Sequence, residues 1–549
     1  MNRLLVFLIA ILSFFIINIQ AQDAFTRTEI INTLTYEANG FGGIVGNVDF
    51  DLDGKKEIYL CNTNSIDTPP EVLIPRLYKF EFNGTIWEKV WSTEAPIPLQ
   101  NTWPALTWGD LDNDSKPELI WLPVNNLEAA LNPNPARILI YEYPGDGSDN
   151  MGVSDGFGGF EPNAKQTVVS VDMINIRPCR AVVSDLDSDG KQEIIFTDRA
   201  GSSTGDYHIG IWSVSDVPDN GGGLEAWTEE FSGVGDLNIS GIGNNWDVNV
   251  INNTAYLFGS NTAGSIFPVR FDQGNYTSLT PQPNMIGTLN SFKGSQVLDI
   301  DGNSVKEMFV GTMFGSKVYL LQPSADTLIQ TLVADFATLG VGRIQGSAFG
   351  DIDSDDKVDL IFGCRNNTAD LRRTILRLEF QGGDITNPDN YIASAIDSID
   401  YSGSGGGEFG VISVANYDGD TDDEIIFTEE YPRGSSPDES KPVYMLNRIL
   451  VSVENETDQI PDQFFLNQNF PNPFNPSTQI KFGITEAANV DLRIYDILGS
   501  EVAVVINNQY LAAGSYSTKF DAANLASGIY IYKLTAGANT VSKKMQLLK

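Results

Sequence analysis

"FGDIDSDDKVDLIFG", residues 349–363, sets acids at Asp351, Asp353, Asp355 and Asp359 and runs straight into an apolar strand pattern. Like charges at alternate positions of a short loop repel unless a cation sits among them. Carboxylates so spaced can converge on one ion. Calcium accepts about six to eight oxygens at roughly 2.3–2.6 Å in flexible geometry, whereas magnesium keeps its waters and demands a stricter shell. Positions one, three and five would give side-chain oxygens, position seven a backbone carbonyl, and position nine a closing carboxylate.

The stretch recurs. "DFDLDGKKE" (49–57) offers Asp49, Asp51, Asp53 and Glu57; "DLDNDSKPE" (110–118) offers Asp110, Asp112, Asp114 and Glu118. "DLDSDGKQE" (185–193) offers Asp185, Asp187, Asp189 and Glu193, and "DIDGNSVKE" (299–307) offers Asp299, Asp301, Asn303 and Glu307. "DIDSDDKVD" (351–359) is the opening stretch, and "NYDGDTDDE" (416–424) offers Asn416, Asp418, Asp420 and Glu424. Gly54 and Gly190 hold the sixth position, where a left-handed turn is easiest. Asn303 and Asn416 lower the charge of two loops and predict weaker binding there.

The loop starts are 61, 75, 114, 52 and 65 residues apart. Inside the 114-residue gap, "DVNVINNTAYLFG" (247–259) keeps Asp247 and Asn249 but has Ile251 and Ala255 at the fifth and ninth positions. It reads as a seventh repeat that has lost its acids and its ion. A period near 61 residues with four strands per unit predicts a seven-bladed β-propeller over residues 22–453. The final repeat supplies three strands, so the segment 26–38 should complete it and remove an open edge.

These loops resemble the FG-GAP or VCBS-type repeat of integrin-alpha-like propellers, with "WGDLDNDSKPELIWL" and "FGDIDSDDKVDLIFG" as the nearest matches. The resemblance implies calcium in the turn between the first and second strands of a blade, at about six sites, with blade four empty. It also implies that partners bind the opposite face. The entries to the inner strands there carry Phe41, Trp103, Arg177, Arg343 and Glu408, beside long loops at 62–76, 123–136 and 429–442. Trp103, Arg177, Arg343 and Glu408 are the candidate ligand residues; aromatic rings and Arg suit a sugar or an acidic group.

"MNRLLVFLIAILSFFIINIQAQ" opens the chain as a signal peptide of residues 1–21, with no later segment long and apolar enough to span a membrane. The net charge of −38 argues against nucleic acid. Cys61, Cys179 and Cys364 read as buried thiols, and a single histidine, His208, leaves little room for His-based catalysis or zinc.

After a linker at 454–463 the composition changes. Alternating apolar positions (Val490, Leu492, Ile494; Ile529, Ile531) and glycine turns predict an Ig-like β-sandwich over 464–549. Pro471, Pro473 and Pro476 forbid regular ladder pairing in its lead-in. "NFPNPFNPSTQIKF", "LRIYDILGSEV" and "LASGIYIYKL" resemble the type A C-terminal sorting domain of type IX secretion. That resemblance implies export by the type IX machinery to the outer-membrane surface of a Gram-negative bacterium, or release from it. The expected function is a secreted or surface-held calcium-binding propeller that adheres to a glycan or protein without catalysis. The alternatives are a polysaccharide-active lyase or hydrolase on the same scaffold, or a passive component of the surface layer.

Overall fold

The computed structural model describes residues 24–31, 37, 40–63, 74–95, 104–124, 136–168, 176–198, 209–221, 225–232, 245–259, 265–280, 282–283, 291–324, 327–366, 372–399, 408–430, 442–449, 453–457, 461, 463–511, 513–522 and 525–549. The expected signal peptide, His208 and Trp103 lie outside them, as do most of the three long loops. The chain divides into a unit of residues 27–448 and a unit that contains residues 449–549. Both are all-β. Two short 3-10 turns, Phe336–Leu339 and Pro388–Asn390, are the helical segments among the described residues.

The larger unit holds seven principal antiparallel sheets among its described residues. The first joins Phe41–Val48, Glu57–Asn62, Arg76–Phe82 and Trp87–Glu94 in sequence order. The others begin with the strands Ala105–Gly109, Pro178–Ser184, Asn245–Ile251, Phe292–Leu298, Val341–Gly350 and Glu408–Ala415. Each of these first strands lies against the first strand of the next sheet, and the seventh lies against the first, so the cycle closes. The arrangement is propeller-like.

The second strands explain why the apolar runs are continuous. Glu57–Asn62, Glu118–Leu122, Glu193–Asp198, Thr254–Gly259 and Glu307–Thr312 are buried at every residue, because neighbouring sheets cover both faces. The core lies between sheets. Tyr59 and Trp91 of the first pack with Trp121 and Tyr141 of the second. Inner strands approach so closely that a Cβ at Gly346 would lie 2.3 Å from the Gly410 carbonyl oxygen.

The seventh sheet is completed from the start of the chain, as expected: Ala24–Ile31 lies beside Val443–Ile449 at its outer edge. Arg27 fastens the strand, with Nη1 2.6 Å from the Asp397 carboxylate and its guanidinium 5.5 Å from the centre of the Tyr444 ring. Pairing at this edge satisfies backbone groups that would otherwise template another chain.

Among its described residues the smaller unit has two four-stranded sheets. Val453–Thr457, Gly514–Asp521, Ser477–Ile484 and Phe465–Leu466 form one, and Glu501–Leu511, Ala488–Tyr495, Gly528–Ala536 and Asn539–Leu547 the other. They share one core, with Ile480, Phe482 and Phe520 from the first and Val490, Leu492, Ile494, Tyr532 and Leu534 from the second. Two expectations are corrected here. The segment 454–463 is not only a linker, because Val453–Thr457 pairs with the strand at 514–521 and adds an edge to the sheet. In Gly528–Ala536 the buried face carries Tyr530, Tyr532 and Leu534, while Ile529 and Ile531 are exposed. That strand is apolar on both faces, and a shift of one residue exchanges them. The proline lead-in avoids regular pairing as expected: Phe470 bridges Gln479 and Phe474 bridges Leu547, each in isolation.

Candidate metal loops

Six of the seven sheets join their first and second strands by the acidic loop. Its backbone is bent by two left-handed residues, at the fourth and sixth positions. The fourth position has φ of 58° at Leu52, 65° at Asn113, 62° at Ser188, 73° at Gly302, 53° at Ser354 and 82° at Gly419. The sixth is left-handed at Gly54, Ser115, Gly190, Ser304 and Asp356. Only the sixth position was legible as a turn; the non-glycine residues at the fourth gave no signal.

The acids hold this turn. The position-six N–H donates to the position-one carboxylate in five loops, at 3.1 Å for Gly54 to Asp49, 3.1 Å for Ser115 to Asp110, 3.2 Å for Gly190 to Asp185, 2.7 Å for Ser304 to Asp299 and 3.0 Å for Asp356 to Asp351. In the 416–424 loop, Gly419 donates to Asn416 instead. The position-seven N–H donates to position five in all six, including Lys55 to Asp53, Val305 to Asn303, Lys357 to Asp355 and Asp422 to Asp420. The position-two N–H donates to one oxygen of the position-nine acid, as in Leu111 to Glu118 at 2.9 Å and Leu186 to Glu193 at 2.7 Å. In the 110–118 loop Asp110, Asp112 and Glu118 each give one oxygen to a backbone N–H, whereas Asp185, Asp299 and Asp351 each accept backbone N–H groups on both oxygens.

The sequence-predicted residues therefore converge. Asp110, Asp112, Asp114 and Glu118 each offer an oxygen within 4.8 Å of the others, as do Asp185, Asp187, Asp189 and Glu193. Asp49, Asp51 and Asp53 form a third group, and Asp299, Asp301 and Glu307 a fourth. In the 110–118 loop the inward oxygens Asp110 Oδ1, Asp112 Oδ1 and Glu118 Oε1 are buried with no hydrogen-bond partner. Buried oxygens without partners cost about 1–3 kcal/mol each, more for charged groups, so such a cage could hold a cation. All-oxygen donors of this charge and flexibility fit calcium. Burial pushes the Glu118 carboxyl up to about 9 and Glu193 and Glu424 up to about 8, so a positive partner nearby would favour their ionised forms.

Besides the position-seven lysines that pair with Asp53, Asp114 and Asp355, two loops receive a buried cation at their third and ninth positions. Lys79, 1% exposed, places Nζ 2.7 Å from Asp51 Oδ2, 2.8 Å from Glu57 Oε1 and 3.0 Å from Asp149 Oδ1. Arg377, 7% exposed, sets Nη2 2.5 Å from Asp353 Oδ2 and Nε 2.5 Å from Asp359 Oδ1, with Glu379 at 2.9 Å. Neither was singled out from the sequence. The available signal was a basic residue inside an apolar third strand, in "YKFEF" and "LRLEF".

The fourth sheet departs from expectation. Ile251 and Thr254 close a hairpin around Asn252 and Asn253, so there is no nine-residue loop. Asp247 is not a relic of its first position. It lies on the inner strand opposite Phe258, buried, accepting from Ser295 N at 2.7 Å and facing Arg180 Nε at 3.3 Å. The inner strands of all seven sheets, Asp247 included, surround a cavity of about 120 Å³.

At the opposite ends of the inner strands, Arg177 donates its backbone N–H to Asp198 at 2.9 Å. Arg343 lies over the Phe314 ring, 4.8 Å from its centre, and Glu408 begins its strand opposite Glu430. Phe41 is a core residue, wholly buried against Tyr78 and Phe80. Cys61 and Cys364 are buried thiols, and Cys179 is half-buried beside the cavity.

Residues 49–121 match the family model of the FG-GAP-like repeat, and residues 468–547 match that of the secretion system C-terminal sorting domain. The chain thus carries an FG-GAP-like repeat and, at its C-terminus, a type IX sorting domain, which directs export to the cell surface or beyond. Among the described residues no helix is long and apolar enough to cross a membrane. No curated protein matches the chain. Solved structures with similar outlines include the WD40 domain of SCAP from fission yeast (10% identity, 91% of this chain and 96% of that one, TM-score 0.38) and the N-terminal domain of Nup159 (6%, 78% and 97%, 0.35). A third is the intramolecular trans-sialidase from Ruminococcus gnavus in complex with oseltamivir carboxylate (11%, 77% and 96%, 0.35).

Proposed function

We propose that this chain is an exported, calcium-braced seven-bladed propeller that binds a glycan or protein outside the cell without catalysis. A signal peptide at 1–21 and an Ig-like β-sandwich over 464–549 would carry it out through the type IX machinery. The observation that carries the reading is the 110–118 cage, where three buried oxygens of converging acids lack partners on a sheet of a closed ring. A ring braced by ions at one end is a rigid mount for loops at the other, and binding residues concentrate on such loops. The candidate contact residues there are Trp103, Arg177, Arg343 and Glu408, with Arg177 the most open to test because its described contact is through the backbone.

The test is incubation of the mature protein with a panel of bacterial and plant glycans and with extracellular proteins. Retention on one ligand class with no new chain ends, weakened by Arg177→Ala at unchanged melting temperature, is the expected result. New unsaturated or reducing ends would instead establish a polysaccharide-active enzyme.

A further inference from the structure

We propose that the 49–57 and 351–359 loops take no calcium, because Lys79 and Arg377 occupy the place of the ion, so that the metal count is four. This rests on the calcium reading of the other loops. Lys79 lies opposite Tyr59, and Arg377 opposite Ile361, which are each the second residue after the position-nine acid. The two cations therefore stand at one equivalent place on the third strand. In the second, third, fifth and seventh sheets the same register holds Ile140, Ile211, Leu320 and Met445. Those side chains bring no charge to their loops.

Both cations bond the same pair of loop positions, the third and the ninth. Calcium needs inward oxygens from both. An ion bonded to oxygens already held by an ammonium or guanidinium would lie within a few ångströms of that charge, in a site where water screens little. Expelling the cation is no easier, because each is anchored by a further acid, Asp149 or Glu379. The sizes are matched as well. The bulky guanidinium faces the only Asp found at position nine, Asp359, whereas the slimmer lysine faces Glu57. Four loops are thus left for the metal: 110–118, 185–193, 299–307 and 416–424.

The test is the number of calcium ions bound per chain, counted by native mass spectrometry and by equilibrium dialysis with elemental analysis. The wild-type mature chain should hold four. Asp112→Ala and Asp187→Ala should each lose one, while Asp51→Ala and Asp353→Ala should lose none. Lys79→Met and Arg377→Met should each gain one, reaching six together. Six ions in the wild type, or loss of an ion in Asp353→Ala, would overturn the proposal even if the methionine variants do not fold. A wild type that binds no calcium would overturn the reading of all the loops.

Discussion

The second and fourth sheets join their first two strands in different ways. The fourth uses two residues, Asn252 and Asn253, and closes by backbone pairing, with the Asn253 side chain donating to the Phe271 carbonyl at 2.9 Å. The second uses eight, residues 110–117, and together with Glu118 leaves three buried carboxylate oxygens without partners. The connection itself therefore does not require the long loop. In the proposed reading the long loop adds a dependence on a cation, which would tie the strand ends together only when the charge is balanced. The 49–57 and 351–359 loops stand between these extremes, because they draw that charge from Lys79 and Arg377.

Removing calcium should break the comparison most strongly. Each site with ligand at about a hundred times its dissociation constant stabilises by roughly 2.7 kcal/mol. Several open loops together predict a fall in Tm on the order of 10 °C with EDTA, restored by calcium better than by magnesium. An unchanged melt after full chelation would place the acidic loops with the hairpin as self-sufficient connections.

A smaller effect is expected from pH. Burial raises Glu118 to about 9 and Glu193 and Glu424 to about 8, far above an unfolded glutamate near ~4.3. A raised folded value means that the folded chain holds protons the unfolded chain releases. Their contribution is full below about pH 4.3 and is lost as pH rises through 8 to 9. In EDTA, Tm should fall by several degrees between pH 6 and pH 9. Saturating calcium, which favours the ionised forms, should flatten that slope; equal slopes in both buffers would separate these acids from metal binding.

Two substitutions sharpen the contrast further. Asp247→Ala removes a buried acceptor of Ser295 N and the partner of Arg180, at a cost of about 2–3 kcal/mol. That cost should be the same with and without calcium, since Asp247 belongs to the inner strand and not to a loop. Asp112→Ala should cost ~2–3 kcal/mol more in calcium than in EDTA, where it loses only the acceptor of the Val217 N–H. Denaturant titrations of both variants in both buffers decide it. The smallest expected effect is at the hairpin: Asn252 has φ of 54°, and Asn252→Ala should cost about 1 kcal/mol, independent of calcium.

The acidic loops were legible because their chemistry is local. Ligand positions one, three, five and nine lie within nine residues, and their recurrence before an apolar run fixed the repeat, the closing role of the N-terminal strand and the ends of the sheets. Local spacing could not show what balances the charge. Lys79 and Arg377 come from the third strand and meet their loops only through antiparallel register. Asp247 looked like the start of a lost loop because its spacing suited one; only pairing with Phe258 put it on the inner strand. Ile529 and Ile531 alternate as a buried face should, yet Tyr530 and Tyr532 share the alternation, and packing against the second sheet chose the tyrosines. Sequence alone determined which residues gather in each turn, since a turn is made by neighbours along the chain. Tertiary structure decided which gathered charges remain open to an ion, since the competing charge arrives from across the sheet.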